Sequence, residues 1–148
     1  MQKIAALCFD GVEDEELVDA AKDVLAGCER IEAWCAYGDS AERLVAAALD
    51  RHHAPHPPPP GHANLDAEQA SAIAARGREI LADAGFTAAP RTLSGRDAGH
   101  ALADASDPNV LLILASGHRR ERGPKSVGHV ARFVIDHARG PVLLLRLR

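Results

Sequence analysis

The sequence predicts an α/β protein built on a parallel β-sheet, and three observations carry that prediction. The apolar runs ending at Phe9, at Leu114 (Val110, Leu111, Leu112, Ile113, Leu114) and at Leu145 are continuous instead of alternating, the pattern of strands covered on both faces. Segments with helical apolar spacing separate them. The runs close on small or polar turns such as Asp10-Gly11, Gly38-Asp39-Ser40 and Ser116-Gly117. In sheets of this class ligands sit beyond the carboxyl ends of the strands. The loop after Leu114, with His118, Arg119, Arg120, Arg122 and Lys125 close together, is therefore the first place where function is expected.

In chain order, residues 3–9 read as a first buried strand closed by the tight Asp10-Gly11 turn. Glu13, Asp14, Glu15 and Glu16 follow at once, acids suited to the first turn of a helix, where the dipole's positive end favours carboxylates. Leu17, Val18, Ala21, Val24 and Leu25 then make one apolar stripe, and Gly27 supplies the stop. Residues 31–37, with Trp34 and Cys35, read as the second strand, and a helix is expected from about 41 to 49. Residues 51–63 change character: His52, His53, His56 and His62 stand among prolines that lack amide donors and can join neither helix nor sheet. An exposed loop, inserted into the domain, is expected there.

Asn64 is the expected N-cap of a long helix over about 65–84, with Ala70, Ile73, Ala74, Gly77, Ile80 and Leu81 on one face and Gly85 beyond its end. Residues 87–93 read as a third strand. Pro90 assigns that strand to an edge, because a central strand needs the missing amide. A short helix over 97–105 and the turn Asp107-Pro108-Asn109 lead into the strand at Val110. Val127, Val130, Ala131, Val134 and Ala138 mark a helix over 126–138, Gly140-Pro141 ends it, and Val142–Leu145 is the last strand. Strands alternating with helices imply a parallel sheet with right-handed crossovers. No internal repeat is visible.

Composition narrows the function classes. A chain of 148 residues fits one domain, with a core that needs no disulfide or metal staple. Cys8, Cys28 and Cys35 are odd in number and too widely spaced for a zinc signature, so they read as buried small hydrophobes in a reducing cytoplasm. No charged-then-apolar leader precedes Lys3, and no apolar run approaches bilayer length, so neither secretion nor a membrane partner is expected. A net charge of -4 with only 3% aromatic residues argues against nucleic-acid binding through the general surface or through base stacking.

The chain resembles the universal stress protein family. The family's first strand ends in Asp-Gly-Ser, and here Cys8-Phe9-Asp10-Gly11-Val12 is similar, with valine in place of serine. The family closes with an apolar strand, the pattern G-x-x-G-x(9)-G-[ST], a helix, and Pro-Val opening the last strand. Gly128-His129-Val130, Phe133-Val134, Ala138 and Pro141-Val142 line up with that close without gaps. The resemblance covers nearly the whole length and is poorest in the proline and histidine loop. It implies a doubly wound five-stranded parallel sheet of order 3-2-1-4-5 with helices on both faces, in agreement with the edge position of the Pro90 strand. It also implies a role in stress response, an adenine-nucleotide crevice and a homodimer through the Val142–Leu145 strand.

The phosphate pattern itself has changed. In register with the family, its two earlier glycines correspond to Ala115 and His118, its third is retained as Gly128, and its hydroxyl residue corresponds to His129. Gly117 would serve only with a gap. In nucleotide-binding members these glycines let the backbone approach the phosphates, whereas His118 puts an imidazole in their path. The nucleotide- or anion-binding candidates are Asp10, Ala36, Ala115, Ser116, Gly117, His118, Gly128, His129 and Val130, with Arg119, Arg120 and Lys125 added for their charge.

Each candidate carries a plainer reading beside the functional one. Asp10 either faces a bound nucleotide or simply closes an Asp-Gly turn on nearby amides. Arg119, Arg120, Arg122 and Lys125 would bind phosphate through charge, line a solvated loop, or meet Glu13 to Glu16 across the crevice. His118 and His129 suit acid-base work, but Ser116 does not lie in G-x-S-x-G and no triad acid is identifiable. No dedicated metal site is expected; His52, His53 and His56 are the weaker alternative, since prolines deny them a helix. The function read from the sequence is a regulatory or binding module with a degenerate adenine-nucleotide crevice and no certain cofactor. Two alternatives stay open: a competent ATP- or AMP-binding stress protein using Arg119, Arg120 and Lys125 on the phosphates, and a small enzyme using His118 or His129.

Overall fold

The computed structural model describes residues 3–39, 65–116 and 128–147. The expected helix over 41–49, the histidine and proline loop, Asn64, and the loop from Gly117 to Lys125 lie outside them.

Strand β1 (Ile4–Cys8) runs into helix α1 (Asp14–Ala26), and β2 (Arg30–Gly38) follows. Helix α2 (Ala67–Asp83), β3 (Ala88–Gly95), α3 (Ala98–Ala105), β4 (Val110–Ala115), α4 (His129–His137) and β5 (Val142–Leu145) complete the order. The strands form one sheet in the order β3-β2-β1-β4-β5, every pair parallel. This is the expected doubly wound sheet. Pro90 lies on edge strand β3, opposite Ala33, as the missing amide requires.

Reversal of strand order between β1 and β4 sends successive crossovers to opposite faces. Ala5, Leu7 and Phe9 therefore pack against Leu17, Val18, Ala21 and Leu25 of α1 and against Ile80 and Leu81 of α2. Ala6, Cys8, Trp34, Ala36, Leu112 and Leu114 pack on the other face against Ala98, Ala101 and Leu102 of α3 and Val134 of α4. Alternate residues of β1 serve opposite layers, which is why its sequence shows no polar alternation. Trp34 is the largest fully buried side chain, and the guanidinium of Arg91 on edge strand β3 lies 5.1 Å from its ring centroid.

Helix boundaries follow local chemistry, with two departures from expectation. Helix α2 is capped by Asp66, not Asn64: its carboxylate accepts from the amide of Gln69, whose side chain accepts from the amide of Asp66. That reciprocal pair satisfies two donors which a helix end otherwise leaves open. At the far end Gly85, with φ 94, and Phe86 donate back to Ala82 and Leu81 and close the helix. The second departure is at α1. Glu13 is not part of the first turn but its left-handed N-cap, with φ 56 and ψ 32. Cys8 and Cys35 are buried as expected, whereas Cys28 is half-buried; all three thiols are free.

Candidate functional site

The carboxyl ends of β1, β2 and β4 meet at one edge of the sheet. Leu7 is paired with Ile113 and Cys8 with Trp34, so Phe9 and Asp10, Ala36, and Ala115 and Ser116 emerge side by side. Helix α4 starts at the same edge, because the chain leaving β4 must return antiparallel to it before β5. Of the sequence-derived candidates, the fold therefore gathers Asp10, Ala36, Ala115, Ser116, Gly128, His129 and Val130 around the switch point between β1 and β4. Gly117, His118, Arg119, Arg120 and Lys125 lie outside the described residues, as do His52, His53 and His56.

The β1–α1 loop is closed by its own carboxylates. Asp10 is half-buried, and its Oδ1 accepts the amide of Val12 at 2.8 Å. Asp14, the first residue of α1, turns back toward the strand: Oδ1 accepts the amide of Asp10 at 3.3 Å and Oδ2 the amide of Gly11 at 3.0 Å. The turn this makes requires φ 85 at Gly11 and the left-handed Glu13. Burial, followed by the charge of Asp10, pushes the Asp14 carboxyl up to about 7, against the two amides that favour its anion. Asp14 was expected only as a dipole-favoured acid, and its turn back to Gly11 has no sequence signal beyond the spacing Asp10-Gly11-x-x-Asp14.

Beneath this loop the environment is apolar. Burial pushes the Cys35 thiol up to about 12 and raises that of Cys8 strongly, so neither is a nucleophile at neutral pH. Outside it, between the start of α1 and the middle of α2, lies a groove of about 430 Å³ lined by Gly11, Glu13, Asp14, Glu15, Ile73 and Arg76. Arg76 reaches Glu15 at 3.4 Å and Glu79 at 3.2 Å along it.

The opposite wall is the start of α4. Gly128 is its N-cap with φ 81 and ψ 159, and no side chain caps the helix. A helix start without a side-chain acceptor leaves backbone donors available to an anion or to water. His129 is exposed in the first turn and Val130 is half-buried. The hydroxyl oxygen of Ser116 is buried without a hydrogen-bond partner among the described residues, while its amide donates to the carbonyl of Leu145 at 2.8 Å. His129 is thus the first helical residue after the N-cap glycine.

No protein-family model matches the chain, and no curated protein sequence matches it. Solved structures do. The universal stress protein UspA from Lactobacillus plantarum is similar with a TM-score of 0.65 and 16% identity, covering 99% of this chain and 99% of that chain. A universal stress protein from Archaeoglobus fulgidus is similar at 0.59 and 16% identity, over 97% of this chain and 98% of that one. A universal stress protein in complex with cAMP is similar at 0.55 and 13% identity, over 99% and 98%. The described residues have the fold of the universal stress protein structures. Among the described residues no helix is long and apolar enough to cross a membrane.

Proposed function

We propose that this chain is a universal-stress-protein-like regulatory or binding module whose nucleotide crevice has lost the usual means of holding ATP. One observation carries the reading: the polar groups at the switch point that a nucleotide would need are partly engaged within the protein. The amides of Asp10 and Gly11 are taken by Asp14, the Asp10 carboxylate is taken by Val12, and His129 follows Gly128 where a hydroxyl would contact phosphate. A thermal-shift panel of ATP, AMP, cAMP and inorganic phosphate tests it, since a ligand that binds only the folded state raises the midpoint. The expected result is a shift below about 1 °C at millimolar ATP, because occupancy at a hundred times Kd would stabilise by about 2.7 kcal/mol and move the midpoint by several degrees. A shift of several degrees with ATP overturns the reading.

A second reading is supported by the uncapped start of α4 and by the cAMP that a structure of the same fold contains. In it the chain binds ATP or AMP and uses Arg119, Arg120 and Lys125 on the phosphates. It expects the ATP shift to appear and to vanish in an Arg119→Ala, Arg120→Ala, Lys125→Ala variant.

The module is a cytoplasmic homodimer in this proposal. Strand β5 is an edge, and all its residues are only half-buried, a surface that attracts another strand unless it is covered. Light scattering at micromolar concentration is expected to give twice the chain mass of 15.7 kDa. A monomer there removes β5 as the interface.

A further inference from the structure

We propose that the outer flank of β5 and α4 seats a second copy of this chain, and that the contact firms the crevice, because Ser116 is held by the strand that the second copy would cover. This rests on the homodimer reading above, to which it adds a helix in the contact and a consequence for the site. Strand β5 is four residues long, an edge of the sheet, and half-buried throughout. Val142 and Leu144 belong to the layer beneath α4, while Leu143, Leu145 and the following Leu147 belong to the layer beneath α1. Apolar side chains therefore stand half-covered on both faces of one strand. Its open edge also presents a row of backbone donors and acceptors, a template for another strand.

The helices on either side extend this apolar edge. Helix α3 packs over β2 and β3, and α4 over β4 beside β5. Phe133 marks the side of α4 turned to α3, since its ring lies against Gly99 and 4.2 Å from the ring of His100. Ile135 is two residues further, about 200° round the helix, and so stands on the outer side toward β5. It is the large hydrophobic side chain left exposed among the described residues, at 48%. On the opposite face Val24 of α1 and Cys28 just beyond it join Leu143 and Leu145 in the same half-buried layer. The carboxylates of Glu15 and Asp19 are engaged by Arg76 of α2 and by Lys22. The flank is apolar in each of its three layers. A second copy fits it by pairing β5 antiparallel with its own twin about a two-fold axis, which satisfies both open edges, sets Ile135 beside its counterpart and closes the assembly at two chains.

The crevice depends on this strand. Strand β1 pairs with β4 from Val110 to Ile113, whereas β5 pairs with it from Leu112 to Ala115. The exit of β4 is therefore held from the β5 side, and the last bond of that ladder runs from the amide of Ser116 to the carbonyl of Leu145 at 2.8 Å. Helix α4 makes the second link, because Gly128 and His129 stand at its start and Ile135 near its end. A four-residue strand with one free edge opens locally at low cost, and each opening releases Ser116. Once a second strand covers that edge, opening requires dissociation as well.

The test is amide exchange read by NMR on the full chain over a range of concentrations, with the mass followed by sedimentation in the same buffer. From monomer to dimer, protection of the Ser116 amide is expected to rise at least about tenfold relative to that of the Phe9 amide, which is bonded to the carbonyl of Trp34 on the far side of β1. Ile135→Lys, a change at an exposed position, is expected to raise the dimer dissociation constant at least about tenfold. Where the wild type is a dimer, this variant is expected to show Ser116 at its monomer protection. A monomer throughout the range overturns the homodimer reading and this proposal together. A dimer in which the Ser116-to-Phe9 ratio stays constant overturns the proposal and leaves the homodimer standing, as does a dimer whose dissociation Ile135→Lys leaves unaltered.

Discussion

Replacing Phe9 with alanine is expected to destabilise the protein by about 3–5 kcal/mol, the range for emptying a buried aromatic site, and far less when Gly77 is alanine as well. Phe9 is fully buried at the exit of β1, its amide donating to the carbonyl of Trp34 at 2.8 Å. Its ring lies so close to α2 that a β-carbon on Gly77 would sit 2.5, 2.7 and 2.9 Å from Cδ2, Cε2 and Cγ. Gly77 is therefore a packing residue in the middle of a helix, where glycine is worse than alanine by about 0.8–1 kcal/mol. Alone, Gly77→Ala gains that propensity but overpacks a rigid ring, which costs about 1–3 kcal/mol, so a net loss is expected. In the Phe9→Ala background the same change fills space and becomes stabilising. Urea unfolding of the two single variants and the double variant measures the coupling. Additive effects would mean that the ring and the helix do not touch. Because Phe9 directly precedes Asp10, the pair also sets where the crevice wall begins.

The second large effect is expected at Gly140, between α4 and β5. A β-carbon there would meet the carbonyl oxygen and carbon of Asp107 at 2.1 and 2.7 Å and the Cα of Pro108 at 3.2 Å. All of these belong to backbone, which cannot rotate aside as a side chain can. Nor is the crossing free to shift, because the amide of Arg139 donates to the hydroxyl of Ser106 at 2.8 Å and that of Leu112 to the carbonyl of Pro141 at 3.0 Å. Ser106, polar and buried, thereby ties the α3–β4 turn to the chain entering β5. Gly140→Ala is expected to lose about 3 kcal/mol, the upper end for overpacking, and to speed amide exchange along β5 more than along β1. Gly85→Ala is the control: nothing lies within 4 Å of its added carbon, and φ is 94. Its loss, about 1–2 kcal/mol, comes from backbone handedness alone and spares β5. Equal losses and equal exchange in both variants would contradict the crossing.

The strands, their parallel pairing and the positions of most helices were legible because each depends on a burial demand that a short segment expresses by itself. The stripe from Leu17 to Leu25 and the unbroken run from Val110 to Leu114 are such demands, and Pro90 announced an edge through a missing donor. Cap chemistry was legible only in kind: a polar N-cap was expected for the long helix at Asn64, and the cap is Asp66, paired with Gln69. The sequence named Asp10, Gly128 and His129 as crevice candidates, and they stand at the exit of β1 and the start of α4. It did not reveal that Asp14 leaves the helix surface to hold two amides, because Glu13, Asp14, Glu15 and Glu16 look alike as a charged run.

By itself, then, the sequence determined which segments are covered on two faces, the alternation of strand and helix, and the edge place of the Pro90 strand. Only the tertiary structure decided that Phe9 lies against Gly77, that Gly140 crosses Asp107, and that Asp14 is driven toward neutrality beside Asp10. The reason is physical. Periodicity is a property of a residue and its near neighbours, while close approach, desolvation and the field of a second carboxylate exist only once distant or turned-back parts of the chain are packed together.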